Sequence, residues 1–114
     1  MKTIFCDIDG TISVQSNDNE TNLIRPLILL PGVKEKFWEW ENKGYTIIIT
    51  TARRESTRAR TIQQLQDAGL MWDQLIMGLP PGERIVINDR AYSGLERAIA
   101  IPLEKNTGME DINI

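Results

Sequence analysis

The chain has 114 residues, of which 16 are acidic and 13 basic, so its net charge is −3 and it offers no general attraction to nucleic acid. That length predicts one compact domain spanning residues 1–114. The absence of histidine and the single cysteine, Cys6, exclude histidine-activated nucleophiles, histidine-ligated zinc and an internal disulfide. Carboxylates remain as the obvious candidates for acid, base and nucleophile.

The N-terminal residues are not expected to form a signal peptide or a membrane span. No apolar run approaches the roughly 20 residues that a transmembrane helix needs, and Asp7 and Asp9 interrupt the first apolar run almost at once. We therefore expect a cytoplasmic protein that makes no contact with a membrane.

The first apolar run ends in two carboxylates. Residues 3–6 are β-branched, aromatic or small, which predicts a strand buried on both faces. Because side chains alternate along a strand, Asp7 and Asp9 should project from one face, roughly 6.6 Å apart. Two such anions require a cation, and closely spaced carboxylate oxygens suit Mg²⁺.

The next part of the chain predicts a loop, a helix and a strand. Residues 12–25 are polar and rich in turn formers, which indicates an exposed loop, either a surface insertion or a flap beside the carboxylates. Apolar residues at helical spacing predict a helix over 33–43, with Trp38 away from its buried stripe. Residues 45–50 are typical of a buried strand that ends beside Thr51.

The second half predicts a further helix and more strands. An amphipathic helix is predicted over 56–68, because apolar residues recur every three positions, at Ala59, Ile62, Leu65 and Ala68. Strands are predicted over 73–77 and 85–87, and a fifth could follow over 98–102. The remainder is polar and should lie along the surface.

This alternation of strands and helices favours an α/β fold with a doubly wound parallel sheet and helices on both faces, a three-layer α/β/α arrangement. In such sheets ligands bind at the carboxyl ends of the strands. Three polar pairs follow strands here: Asp7 with Asp9, Thr50 with Thr51, and Asn88 with Asp89. The sequence therefore predicts that these pairs meet at one edge.

The residues Asp7-Ile8-Asp9-Gly10-Thr11 resemble the first motif of the haloacid dehalogenase (HAD) superfamily of phosphatases, and with Thr51 and Asp89 the resemblance spans residues 4–90. It implies a HAD-like Rossmannoid fold, with Asp7 as the nucleophile that forms an aspartyl phosphate and Asp9 as general acid and base. It also implies that Thr51 holds the phosphoryl group, while Gly10 allows a sharp turn beside it.

The same resemblance implies a magnesium site. Its ligands would be Asp7, the main-chain carbonyl of Asp9, and Asp89, together with waters and a phosphate oxygen. Many relatives carry two acids where this chain has Asn88 before Asp89, so one negative charge is lost.

A basic residue of the family pattern is missing. Where comparable relatives have a Gly-Lys-Pro turn, this chain has Leu79 between glycine and proline. A transferring phosphoryl group needs positive charge beyond the metal, so the candidates are Arg53, Arg84 and Arg90. Arg53 could instead grip the substrate, since guanidinium groups suit bidentate contacts with phosphate.

These observations predict a magnesium-dependent phosphomonoesterase without a cap domain, because neither loop after the motifs is long enough to fold alone. The residues 45–54 are similar to phosphatases of capsule or sugar-phosphate biosynthesis, which favours a phosphorylated small-molecule substrate. They are also similar to the phosphatase half of polynucleotide kinases. The open site would suit a large substrate, or a homo-oligomer that closes it.

Three alternatives stay open. The first is a nucleotide or polynucleotide phosphatase, if Arg54, Arg58 and Arg60 form a local nucleic-acid patch rather than a solvated helix face. The second is a non-catalytic remnant of the fold that binds phosphate or metal. The third, a phosphoacceptor receiver, is opposed by the motif order, because its phosphorylated aspartate ends a middle strand.

Overall fold

The computed structural model describes residues 1–114 and has an α/β fold with a parallel sheet. The sheet has the order β1-β2-β3, with strands β1 (Thr3–Asp7), β2 (Thr46–Thr50) and β3 (Gln74–Ile76). The helices are α1 (Asn19–Ile24), α2 (Val33–Asn42) and α3 (Arg58–Asp67), with one 3₁₀ turn (Glu55–Thr57) before α3. The predicted order β1, α2, β2, α3, β3 is thus confirmed.

Strand register divides the sheet side chains between two faces. Ile4 and Cys6 of β1 lie beside Ile47 and Ile49 of β2. All four point toward the core, and Cys6 is buried there, as predicted. The neighbouring position, Phe5, lies beside Ile48 and points to the opposite face.

Both long helices cover the same face of the sheet. The buried residues Val33, Phe37 and Trp40 of α2 belong to one core cluster with Leu65 of α3 and with the inward residues of β1 and β2. The rings of Phe37 and Trp40 stack at 5.4 Å with a tilt of 42°. Because the spatial order β1-β2-β3 follows the sequence and parallel strands are joined by right-handed crossovers, successive helices lie on one side of the sheet. Trp38 points away and is exposed, as predicted.

The opposite face carries no helix, so the predicted third layer is not formed. Phe5 is 61% exposed there, and Ile76 is also exposed. The strands predicted over 85–87 and 98–102 are absent as well, and these residues are exposed and without regular structure. β-branched residues favour an extended backbone, but a strand also needs a hydrogen-bonded neighbour, which this segment lacks.

Three smaller predictions were wrong. The region 12–25 is not wholly a loop, since it contains α1, which Asp18 caps by accepting a hydrogen bond from the Glu20 N–H. Helix α3 buries Thr61 and Gln64 beside Leu65, whereas Ala59 is exposed. Near the C-terminus Met109 is buried in the core rather than lying on the surface. In α3, polar side chains therefore share the buried face with the apolar ones.

Residues near the C-terminus also support the turn after β1. The N–H of Asn106 donates to the Gly10 carbonyl over 2.9 Å, and the N–H of Met109 donates to the Pro31 carbonyl over 2.9 Å.

None of the helices combines the length and the apolar character needed to cross a bilayer.

Candidate active site

The turn that follows β1 places both carboxylates at the carboxyl end of the sheet. The carbonyl of the fully buried Ile8 accepts hydrogen bonds from the N–H groups of Thr11, Ile12 and Ser13, over 3.1, 2.8 and 3.1 Å. This tight turn fixes the backbone between Asp7 and Asp9. The sequence motif therefore folds into a rigid corner with two acidic side chains.

Gly10 is required at this corner by its backbone and by its neighbours. Its φ of 87° lies in the left-handed region that favours glycine. A methyl group added there would lie 3.0 Å from Lys105 Cγ and 3.2 Å from Gln15 Oε1. The sequence predicted the sharp turn, but it did not predict that the stem of Lys105 packs over it.

Asp9 forms a two-pronged ion pair with Arg53, which follows β2. Arg53 Nε donates to Asp9 Oδ2 over 2.9 Å, and Nη2 donates to Asp9 Oδ1 over 2.8 Å. The Arg53 side chain is only 6% exposed and that of Asp9 18%, so the pair is well shielded from water. This geometry fixes the orientation of the Asp9 carboxylate.

The other donors of Arg53 are also used within the protein. Nη1 donates to Thr61 Oγ1 over 3.2 Å and to Gln64 Oε1 over 2.6 Å, while Nη2 also donates to the Asn22 carbonyl over 3.3 Å. A guanidinium has five N–H donors, and all five have acceptors here. Arg53 therefore has no free donor for a phosphate, and the predicted substrate contact is not available in this structure.

Sequence reasoning missed the residues that hold Arg53. Gln64 Nε2 donates to the carbonyls of Asn22 and Arg25, over 2.9 and 2.7 Å. The Asn22 side chain in turn bonds both the N–H and the carbonyl of Ser16, over 2.8 and 3.0 Å. The only sequence signal was a pair of polar residues, Thr61 and Gln64, one turn apart beside a buried leucine. We call Asp9, Asn22, Arg53, Thr61 and Gln64 the Arg53 network.

The environment of Asp7 opposes its ionised form. Desolvation raises the pKa of Asp7 above its ordinary 3.8, and the charge of Asp9 raises it further. The Ile8 N–H, the Arg84 charge and the Thr11 hydroxyl act in the lowering direction, but they do not restore the ordinary pKa. An additional positive charge beside Asp7 would therefore stabilise its carboxylate.

The structure distinguishes among the three candidate cations. Arg84 lies near enough to Asp7 for its charge to lower the carboxyl pKa. Its Nη1 is held by the carbonyls of Pro80 and Gly82, each over 2.8 Å, which leaves its Nε and Nη2 donors without a protein partner. Arg53 is consumed by its network, and Arg90 pairs with Glu96 over 2.6 Å in a surface contact. Arg84 is thus the candidate whose charge acts on the Asp7 carboxyl and whose donors are not all used within the protein.

Thr51 and Leu79 lie at the next strand end. The buried Thr51 Oγ1 accepts a hydrogen bond from the Arg53 N–H over 3.1 Å, so its hydroxyl braces the turn after β2. Its hydroxyl proton remains free to donate, which is what the predicted phosphate contact needs. The N–H of Leu79 donates to the Thr51 carbonyl over 3.1 Å. The backbone of the Gly78-Leu79-Pro80 turn therefore reaches the site, but this turn supplies no positive charge, because Leu79 stands where comparable relatives have lysine.

Asp89 does not join Asp7 and Asp9. It is exposed and pairs with Arg97 over 3.1 Å. No group of three or more acidic, histidine or cysteine side chains is close enough to hold a metal. The available oxygen donors are the Asp7 carboxylate and the Asp9 main-chain carbonyl, which accepts no hydrogen bond. They fit the open, water-rich coordination that Mg²⁺ uses, with fewer protein ligands than predicted.

The predicted basic patch is largely used for internal contacts. Arg58 pairs with Glu55 over 2.6 Å and donates to the Leu75 carbonyl over 3.1 Å. Arg60 donates to the last carbonyls of α1, those of Leu23 and Ile24. Only Arg54 has an uncommitted, exposed side chain. Two of the three arginines therefore tie α3 to its surroundings.

The thiol beside the site is unsuited to nucleophilic chemistry. Burial, and secondarily the charge of Asp7, raises the pKa of Cys6 to about 12. A thiol with that pKa is protonated at neutral pH and unreactive. Asp7 remains the nucleophile candidate at the end of β1.

No family model matches the sequence, and no curated protein matches it. Two solved structures are similar in fold. One is a structural genomics target from Vibrio cholerae, with 26% identity and a TM-score of 0.57, covering 80% of this chain and 82% of that one. The other is a D,D-heptose 1,7-bisphosphate phosphatase from B. bronchiseptica complexed with magnesium and phosphate. It has 20% identity and a TM-score of 0.50, and the match covers 71% of this chain and 52% of that one.

The second match is too distant in sequence to transfer an activity, but it bears on the fold. Its likeness to this chain is one of fold, over the part that contains the parallel α/β sheet. The chain therefore has an α/β fold of the HAD-like Rossmannoid type.

Proposed function

We propose that the chain is a magnesium-dependent phosphomonoesterase that works through an aspartyl phosphate on Asp7. The observation that carries the proposal is the corner after β1. There Asp7 is desolvated, Asp9 is held in a fixed orientation by Arg53, and the charge of Arg84 acts on the Asp7 carboxyl. A carboxylate whose charge is disfavoured by its surroundings is suited to a site completed by a cation and a phosphate.

In this proposal Asp7 and Asp9 divide the chemistry. A carboxylate oxygen of Asp7 attacks the phosphorus, and the bond from phosphorus to the leaving oxygen breaks as Asp9 gives that oxygen a proton. Asp9 then takes a proton from water, which attacks the phosphorus, releases inorganic phosphate and restores Asp7. Bound magnesium would supply charge neutralisation for the incoming phosphate.

The Arg53 network would orient the Asp9 carboxyl for its role as general acid and base. Each oxygen of Asp9 accepts one hydrogen bond from Arg53, and a carboxylate oxygen has a second lone pair that can carry the proton. Arg53 is therefore a positioning residue for Asp9. Arg84 would neutralise the transferring phosphoryl group, the role for which the usual lysine is missing.

A phosphorylated small molecule, such as a sugar phosphate, is the preferred substrate class. The site lies at an open sheet edge, and the arginines that could have followed a nucleic-acid backbone are mostly tied to Glu55, Leu75 and α1. A polynucleotide substrate is consequently the weaker alternative.

The test is a screen of sugar phosphates, nucleotides and 3′-phosphorylated oligonucleotides with MgCl₂, with released phosphate as the readout. We expect turnover of at least one sugar phosphate, its loss with EDTA, and its loss in Asp7→Asn. Failure to turn over any compound would overturn the proposal and favour a non-catalytic remnant.

Arg84→Ala tests the assignment of the cation. It should lower kcat/KM at least about tenfold, which corresponds to roughly 1.4 kcal/mol of barrier. The matched control is Arg54→Ala, since Arg54 is exposed and its side chain has no partner. Equal activity of both variants would remove Arg84 from the site.

A further inference from the structure

Asn106 is the only residue other than glycine whose backbone adopts a positive φ, of 64°. This left-handed conformation is uncommon for residues that carry a side chain, although asparagine tolerates it better than most. Asn106 is exposed to solvent, so packing in the core does not impose the conformation. A backbone outlier of this kind is held by its contacts, and such outliers cluster at functional sites.

The hydrogen bonds of Asn106 all go to the turn after β1. Its N–H donates to the Gly10 carbonyl over 2.9 Å. Its Oδ1 accepts from the Gln15 N–H over 2.8 Å, and its Nδ2 donates to the Gln15 carbonyl over 3.2 Å. A single residue, 91 positions after Gln15, therefore holds the segment 10–15 at both of its ends.

The residues on either side of Asn106 fix its place over this turn. The stem of Lys105 packs against Gly10, as described above. On the other side Met109 is buried in the core, and a methyl group added at Gly108 would lie 2.5 Å from the Pro31 carbonyl oxygen. The chain is thus pressed closely onto the body of the protein on both sides of Asn106.

A second route leads from Asn106 to the Arg53 network. Gln15, which Asn106 holds, is followed by Ser16, and the Asn22 side chain bonds both the N–H and the carbonyl of Ser16. The Asn22 carbonyl in turn accepts a hydrogen bond from Arg53 Nη2 over 3.3 Å. Two consecutive residues are therefore each held by one asparagine amide. Loss of the Asn106 contacts would loosen the loop from which Asn22 reaches Arg53.

We propose that Asn106 is a positioning residue for the Asp9 carboxyl and acts through the turn that it holds. Asp9 directly precedes Gly10, so the hydrogen bond to the Gly10 carbonyl restrains the backbone next to Asp9. Arg53 holds the carboxylate of the same residue. Asp9 is thus restrained at its backbone by Asn106 and at its side chain by Arg53. This inference rests on the proposed function, in which Asp9 transfers the proton.

Misplacement of Asp9 has a kinetic signature that depends on the leaving group. A sugar alkoxide is a poor leaving group and needs a proton from Asp9, whereas p-nitrophenolate is a good leaving group and needs it much less. A displaced Asp9 should therefore lower kcat/KM for a sugar phosphate more than for p-nitrophenyl phosphate. A smaller amount of folded enzyme would lower both values equally.

Asn106→Gly is the variant that tests this role. Glycine adopts a positive φ freely and keeps the N–H that donates to Gly10, so the fold should be preserved while both bonds to Gln15 are lost. With the sugar phosphate that wild type turns over, kcat/KM should fall at least about tenfold, because small displacements of a catalytic group are costly. With p-nitrophenyl phosphate the fall should be about twofold or less.

The matched control is Thr107→Ala, at the next position. The Thr107 hydroxyl is exposed and donates to the Glu104 carbonyl over 2.7 Å, so its loss removes a hydrogen bond of the same segment but none to the turn after β1. We expect wild-type kcat/KM with both phosphates for this variant.

A second measurement does not depend on activity. Arg53 Nε donates to Asp9 Oδ2 over 2.9 Å, so the NMR signal of the Nε proton reports directly on how Asp9 is held. In Asn106→Gly this signal should shift, and its proton should exchange faster with water, because the loop that supports the pair opens more often. In Thr107→Ala the signal should match that of wild type.

The two measurements separate this inference from the proposed function. A faster exchange of the Arg53 proton in Asn106→Gly supports the positioning of Asp9 even if no substrate is turned over, and the absence of turnover then counts only against the proposed function. If wild type is active, unchanged kcat/KM in Asn106→Gly, or an equal fall with both phosphates, would overturn the inference. An Arg53 signal that is the same in Asn106→Gly and Thr107→Ala would also overturn it.

Discussion

The Arg53 network and residues 80–102, which we call the arm, show opposite ways of arranging polar and apolar groups. In the network a buried cation has an acceptor for each of its five donors, drawn from two helices and the turn after β1. In the arm the backbone is largely unpaired and the apolar side chains face water. The first region has its polar groups paired within one chain, whereas the second leaves its apolar side chains and much of its backbone unpaired.

This difference teaches where stability and assembly reside. A buried charge that loses its partner is costly, so the network should fail sharply when one member is removed. The exposed apolar side chains of the arm contribute little to the stability of one chain, and such side chains are available for contacts with other molecules. Perturbing each region in turn tests this contrast.

The largest effect should come from breaking the network. Arg53→Met leaves the Asp9 carboxylate shielded and without its partner, and it leaves Gln64 Oε1 without its donor. Removing one member of such a pair costs about 3–5 kcal/mol, which urea unfolding would measure. The adjacent Arg54→Met is the control, with an expected change within about 0.5 kcal/mol. Equal stability of the two variants would show that the ion pair contributes nothing.

A core truncation should have the next largest effect. Ile49→Ala removes a fully buried side chain from β2 and leaves a cavity under both long helices, at a cost of about 2–5 kcal/mol. The unfolding midpoint in urea should fall without a change in the denaturant slope. A cost below about 1 kcal/mol would mean that this face is loosely packed.

Local patterns were sufficient to predict the strands and helices that bear on the site. Ile4, Cys6, Ile47 and Ile49 are apolar because this face of β1 and β2 lies against the helices, and the motif after β1 forms its turn from its own backbone. Partners distant in sequence could not be read in this way. Asn22 and Arg53 are 31 positions apart, and neither segment contains a sequence pattern that predicts their contact.

The arm shows the complementary failure. The β-branched residues 85–87 favour an extended backbone, but strand formation also depends on a neighbouring strand, and no strand lies beside this segment. The predicted arrival of Asp89 at the site failed for the same reason. A local pattern specifies the shape that a segment favours but not the neighbour against which it packs.

The charge of Asp7 should have a smaller effect on stability, of known sign. Its folded pKa is raised above 3.8, so ionisation costs stability as pH rises through that value, and the cost is complete above the folded pKa. Asp7→Asn should therefore raise the thermal midpoint at neutral pH without Mg²⁺, and should not change it near pH 3. Adding MgCl₂ should raise the midpoint of wild type only. A lower midpoint for the variant at neutral pH would contradict the assigned environment.

The smallest effect should come from the arm in dilute protein. Ile87→Ala removes the same atoms as Ile49→Ala, but the side chain of Ile87 is 93% exposed, so the cost for one copy should stay within about 0.5 kcal/mol. If copies of the chain associate through the arm, the same substitution should lower the unfolding midpoint more as protein concentration rises, since the stability of an oligomer depends on concentration. Ile49→Ala provides the reference, because its cost arises inside one chain. Unfolding of both variants across a hundredfold range of concentration would separate them, and parallel behaviour would mean that the arm remains solvated at every concentration.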